Sequence, residues 1–173
     1  MKRTLLAVLT VFILAHAPWR LMALGVEVFF VSPGHTRISD QNTRYWEALA
    51  LESNLIRIGW AVKYETPLTM MTRQGPIKVY GLTATEEHTV YVDAALSWNA
   101  RHAVLAHEAG HVLQPHWMDY AKGDVFAEII AALVVRDSPR EHARYLSAYR
   151  GDFLIVALTE WRTLYRSAAL LRE

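Results

Sequence analysis

Apolar and polar positions in this chain follow two periods. Two predominantly apolar runs, residues 5–15 and 21–31, come first; the later segments show either the two-residue period of strands or the 3.6-residue period of helices. Residues 26–31 are β-branched and aromatic and stop at Ser32-Pro33-Gly34, which predicts a strand. Ser39 or Asp40 caps a predicted helix running to about Ile58, with an apolar stripe through Tyr45, Leu49, Leu51, Leu55 and Ile58 that ends at Gly59. Residues 60–64 read as a short strand closed by Pro67, and residues 68–76 as a loop. Two further strands, 77–82 and 89–92, are joined by the polar connector 83–88. A helix is expected from near Ser97 to about Leu113, ended by Pro115, followed by a connection over 116–123. Asp124 is placed to cap a helix over residues 125–135, and Ser138-Pro139-Arg140-Glu141 resembles a further capping sequence with proline at the first helical position. A last helix runs from Asp152 towards Arg172, where Leu154, Leu158, Trp161, Tyr165 and Ala168 form a stripe read as core or subunit contact. Strands that precede helices in this way predict an α+β fold: a small mixed or antiparallel sheet packed on the helix at 97–113, with a helical C-terminal half.

Composition narrows this picture without changing it. The 173 residues, 53% hydrophobic and 20% charged, suit one globular domain with its own core. A net charge of +1, from 18 basic and 17 acidic residues without long runs of either sign, lacks the footprint of a nucleic-acid binder, so no nucleic-acid partner is expected. The chain has no cysteine, which excludes disulfides, a thiolate nucleophile and cysteine-held zinc; any metal must be held by His, Asp or Glu. Lys2 and Arg3 before the first apolar run, and Ala15-His16-Ala17 after it, fit a secretory signal with a small-x-small cleavage site. Pro18 beyond the cut and the second apolar run leave an uncleaved anchor open, although Pro18, Arg20 and Glu27 interrupt any joined span. The expected organisation is therefore a signal peptide or signal-anchor at 1–17 and a single domain at 18–173. The expected product is secreted or periplasmic, or associated with the membrane through an uncleaved N-terminal segment; a cytoplasmic protein with an apolar N-terminal helix is the alternative.

The chemistry is concentrated in His107-Glu108-Ala109-Gly110-His111. On a helix His107 and His111 stand one turn apart on the same face, so both imidazoles can reach one metal ion, with Glu108 beside them. A catalytic zinc site takes three protein ligands and keeps a position for water, so one ligand remains to be found. Glu128 is the candidate, as the only charged side chain in the otherwise apolar stretch 125–135, where an unpaired carboxylate would be costly to bury. His116, Asp119, Asp124, Glu141 and His142 are the alternatives.

This motif after a sheet, followed by a helix bearing Glu128, resembles the zincin metallopeptidases of the gluzincin type over roughly residues 89–135. The short step from His111 to Glu128, the Gly-His ending of the motif and Phe126-Ala127 are also similar to the minimal metallopeptidases of phage-immunity regulation. Gln114 and Trp117 stand where the metzincin extension would place glycine and a third histidine, which separates the chain from that group. The resemblance implies Zn2+ held by His107, His111 and Glu128, Glu108 as general base, and a peptide or protein substrate paired along Thr89, Val90, Tyr91 and Val92. Donors to the developing oxyanion are sought in His142, Tyr145 and Tyr149, on a later helix that can return to the cleft. Two other readings stay open: a domain of the same fold that uses zinc for stability or envelope-associated partner binding without turnover, and one in which the two histidines are only polar residues on an amphipathic helix.

Overall fold

The computed structural model describes residues 41–135, 146 and 148–172. The N-terminal targeting segment, the strand expected at 26–31, the caps expected at Ser39 or Asp40, and the capping sequence at 138–141 lie outside these residues.

Helix α1 (Gln41–Arg57) buries Ala48, Leu51 and Leu55 on one face. It ends as its glycine predicts: Gly59 takes φ +91°, and the Trp60 amide reaches back to the Leu55 carbonyl at 3.0 Å. Strand β1 (Ala61–Glu65) follows directly. Where a loop was expected, β2 (Thr69–Thr72) and β3 (Gly75–Lys78) form an antiparallel hairpin. Its tight turn is closed by Gly75 at φ +112° and by the Thr72 hydroxyl donating to the Gly75 carbonyl at 2.7 Å. The two strands are short and largely exposed, so they carry no apolar alternation to read. The strand expected at 77–82 is correspondingly divided, ending β3 and beginning β4 (Gly81–Ala84), which belongs to a different sheet.

Strand β5 (Thr89–Asp93) is the centre of the main sheet, parallel to β1 on one side and antiparallel to β4 on the other. The described fold is thus α+β with a small mixed sheet. At the end of β5, Asp93 is buried and holds the turn into the next helix. Its Oδ1 accepts from the Ala95 amide at 2.9 Å and from the Thr66 hydroxyl at 2.7 Å, while Lys78 lies 3.5 Å from Oδ2. These bonds, led by the Ala95 amide, hold its carboxyl below the usual carboxylate range.

Helix α2 (Trp98–Leu113) starts at Ser97, whose side chain accepts from the Ala100 amide, and stops where Gln114 turns extended before Pro115. Helix α3 (Tyr120–Val135) begins earlier than the sequence suggests. Its cap is Asp119, whose carboxylate accepts from the Lys122 amide at 2.9 Å, so Asp124 sits inside the helix and not at its start. The C-terminal segment is two helices, α4 (Arg150–Thr159) and α5 (Trp161–Leu170), because Glu160 leaves helical geometry at φ −113°, ψ 15°. The break turns Val156, Leu164, Ala168 and Leu171 into the core and leaves Leu158, Trp161 and Tyr165 exposed, so the stripe expected along one long helix does not form a core face.

The core is shared by the sheet and the helices α1 to α5, with Leu51, Leu55, Val90, Val92, Leu105, Phe126, Ile130 and Val156 among its buried side chains. Helices α2 and α3 touch backbone to backbone at Gly110, where a Cβ would lie 2.4 Å from Ala127 Cα. Gly110→Ala is therefore expected to push the two helices apart and to lower stability by about 1–3 kcal/mol, the usual range for overpacking, read as a reduced urea midpoint. An unchanged midpoint would show that the contact can relax.

Candidate metal centre

The close α2–α3 contact places two pairs of residues, each one helical turn apart, opposite each other: His107 and His111 on α2, Asp124 and Glu128 on α3. The imidazoles meet edge to face with centroids 5.0 Å apart. His107 Nδ1 lies 2.9 Å from Glu128 Oε2, and His111 Nδ1 lies 2.9 Å from Gln114 Oε1. Both partner atoms are acceptors, so each ring donates its Nδ1 proton there and turns Nε2 towards the space between the helices. The two Nε2 atoms converge on Asp124 Oδ1, at 3.8 Å from His107 and 3.5 Å from His111.

A ring nitrogen facing a carboxylate oxygen needs positive charge at the contact, either a proton on the nitrogen or a cation between the two. Burial pulls the His107 imidazole towards its neutral form, but hydrogen bonds to Asp124 and Glu128 and the Glu108 charge outweigh it and push the pKa up to about 10. The cluster thus favours a cation, and its spacing suits a metal: donors 2.0–2.1 Å from a tetrahedral zinc stand roughly 3.3–3.4 Å apart. Among the described residues, His107, His111 and Asp124 are the three whose ligand atoms all lie within 4.8 Å of one another. The donor set therefore fits a borderline-soft divalent ion.

The residue picked from sequence as third ligand, Glu128, lies behind His107 on the far side of its ring, and Asp124 takes the place facing both Nε2 atoms. The early start of α3 is the reason. With Asp119 serving as the cap, the Asp124 carboxylate is released into the cleft, and its spacing of four from Glu128 turns both towards α2. Asp124 was among the alternatives, but Gln114 was missed; it occupies a gap left by Gly123, where a Cβ would lie 2.5 Å from its Oε1. His116 is exposed in the connection between the helices, and Asp119 is used as the cap. Glu141, His142 and Tyr145 lie outside the described residues. Tyr149 is partly buried against the core at the start of α4 and does not line the cleft.

The cleft itself encloses about 840 Å³ and is lined by the two histidines, Glu108, Asp124 and Glu128, with Met70, Val79, Leu82 and Val104 supplying apolar wall. Tyr120 stands at its rim, four residues before Asp124, whose charge raises the phenol pKa and keeps the hydroxyl protonated. A period-four reading of Tyr120, Asp124 and Glu128 would have found this face once the helix was begun at Asp119.

Thr89, Val90, Tyr91 and Val92, expected to pair with substrate, form the central strand, and their backbone is committed to β1 and β4 on the two sides. That expectation is corrected: the strand at the cleft is β4, which among the described residues is an edge of the sheet and whose Gly81, Leu82 and Thr83 line the wall. The Asp93 amide donates to the Tyr80 carbonyl at 2.8 Å, which sets the antiparallel alternation. It follows that Leu82 and Ala84 bond to β5, while the backbone groups of Gly81 and Thr83 point out of the sheet.

Compared with models of protein families, with curated proteins and with solved structures, the chain matches none, so the reading of this site rests on the geometry of its own residues.

Proposed function

We propose that this protein is a zinc-dependent metallopeptidase of zincin type, with His107, His111 and Asp124 as ligands and Glu128 as the carboxylate that orients His107. The observation that carries the reading is the convergence of two Nε2 atoms and Asp124 Oδ1 beside the Glu108 carboxylate in an open cleft. A zinc ion there would polarise the scissile carbonyl and lower the pKa of a water molecule towards neutrality. Glu108 accepts the proton of the attacking water and delivers it to the leaving amine. An extended peptide lies along β4, its main chain bonded to the outward groups of Gly81 and Thr83, which favours broad sequence tolerance with apolar side chains directed into the cleft. The Tyr120 hydroxyl, at the rim, is a candidate donor to the carbonyl oxygen of the substrate. Export fits the apolar N-terminal runs, through a signal cleaved after Ala17 or an uncleaved anchor. No helix among the described residues is long and apolar enough to cross a membrane.

The purified protein is expected to contain close to one zinc per chain by elemental analysis. It should cleave unfolded casein, lose that activity on chelation and recover it on zinc addition. Absence of both metal and cleavage would overturn the reading.

A further inference from the structure

Glu108 leans against the edge strand. It is 8% exposed, and the Thr83 hydroxyl lies 2.7 Å from its Oε2 and 3.1 Å from its backbone carbonyl. A hydroxyl has one proton to give, and the shorter approach to the charged oxygen takes it. Two residues earlier on the same face of β4, Gly81 leaves the space that the carboxylate occupies: a Cβ there would lie 2.5 Å from Glu108 Oε1, 2.7 Å from its Cγ and 2.6 Å from Val104 Cγ1. The carboxylate is thus fixed by one hydrogen bond and one missing side chain.

We propose that Thr83 and Gly81 are positioning residues for Glu108, so that β4 sets at once the register of a bound peptide and the orientation of the carboxylate that accepts the proton. The proposal rests on the peptidase reading above for its catalytic consequence, but the contact itself does not. Proton transfer demands a fixed donor–acceptor geometry, and a glutamate with three rotatable bonds has many orientations to lose. The same two residues direct their backbone groups out of the sheet towards the substrate position. A peptide pairing there is therefore held in register with the base by a single rigid strand.

Two measurements test this. In zinc-loaded protein, Thr83→Val removes the hydroxyl and keeps the shape. It is expected to lower kcat on labelled unfolded casein by about 10- to 100-fold, with KM and zinc content within twofold of wild type, and Thr83→Ser should restore most of the loss. Gly81→Ala, which keeps the hydroxyl and displaces the carboxylate, should lower kcat similarly. In metal-free protein, where catalysis plays no part, the urea midpoint shifts of Thr83→Val and Glu108→Ala should combine to less than their sum, because each removes one partner of the same bond. Additive shifts, a Thr83→Val kcat within twofold of wild type, or failure of Thr83→Ser to restore it would each overturn the positioning role. Loss of the peptidase reading would show itself differently, as wild-type protein that neither holds zinc nor cleaves casein while the metal-free coupling persists.

Discussion

Glu108→Gln is expected to retain zinc at the wild-type level and to lose casein cleavage by about 10²–10⁴-fold, the usual contribution of a positioned general base. The substitution is nearly isosteric. Its amide oxygen can still accept from Thr83, so the side chain should keep its place against β4 and the fold should be undisturbed. What it lacks is basicity, since an amide does not take a proton from water at neutral pH. Elemental analysis and casein cleavage on the same preparation therefore separate chemistry from assembly. Zinc retained with unchanged turnover would remove Glu108 from the reaction; zinc retained in a wild-type protein without turnover would favour a domain that uses its metal for stability or partner binding.

The second large effect distinguishes two carboxylates that the sequence places one helical turn apart. Asp124→Ala is expected to lower zinc affinity by more than about 100-fold, since it removes one of three donors, whereas Glu128→Gln should lower it by about 10- to 100-fold through the orientation of His107. Competition with a chromogenic zinc chelator measures both. The physical difference lies in which nitrogen each residue faces: Asp124 approaches the two Nε2 atoms, and Glu128 meets Nδ1 of one ring. The reverse order of affinities would return the ligand role to Glu128, where its isolation in an apolar stretch first placed it.

Those two positions also mark where local reading stopped. The helix from near Ser97 to about Leu113 was legible because its signals are local: a helical pattern and a proline stop at Pro115. The end of α1 at Gly59 was legible for the same reason. Helix α3 misled because it holds two acidic residues able to cap, Asp119 and Asp124. The apolar run after Asp124 made the later one the more natural start, yet the actual cap hides in a segment rich in polar and aromatic residues. The hairpin β2–β3 failed for want of any buried face to impose a period, and the last helix failed because its break at Glu160 follows from what Val156 and Leu164 must bury.

The strand beside the cleft is the other instructive case. Thr89, Val90, Tyr91 and Val92 precede the motif helix in sequence, but the order β1-β5-β4 puts them in the middle, and only pairing partners far apart in the chain decide which strand is an edge. By itself the sequence determined the α+β composition, the helix that carries His107, Glu108 and His111, and, through the absence of cysteine, the restriction of any metal ligands to nitrogen and carboxylate oxygen. These depend on neighbours within a few residues or on residue chemistry alone. The tertiary structure decided that Asp124 faces both histidines while Glu128 stands behind one, that Gln114 fixes the other, and that β4 supports Glu108. Each of these depends on how closely two elements approach, and that distance is set at Gly110 against Ala127 and at Gly81 against Glu108, contacts between elements that no local pattern encodes.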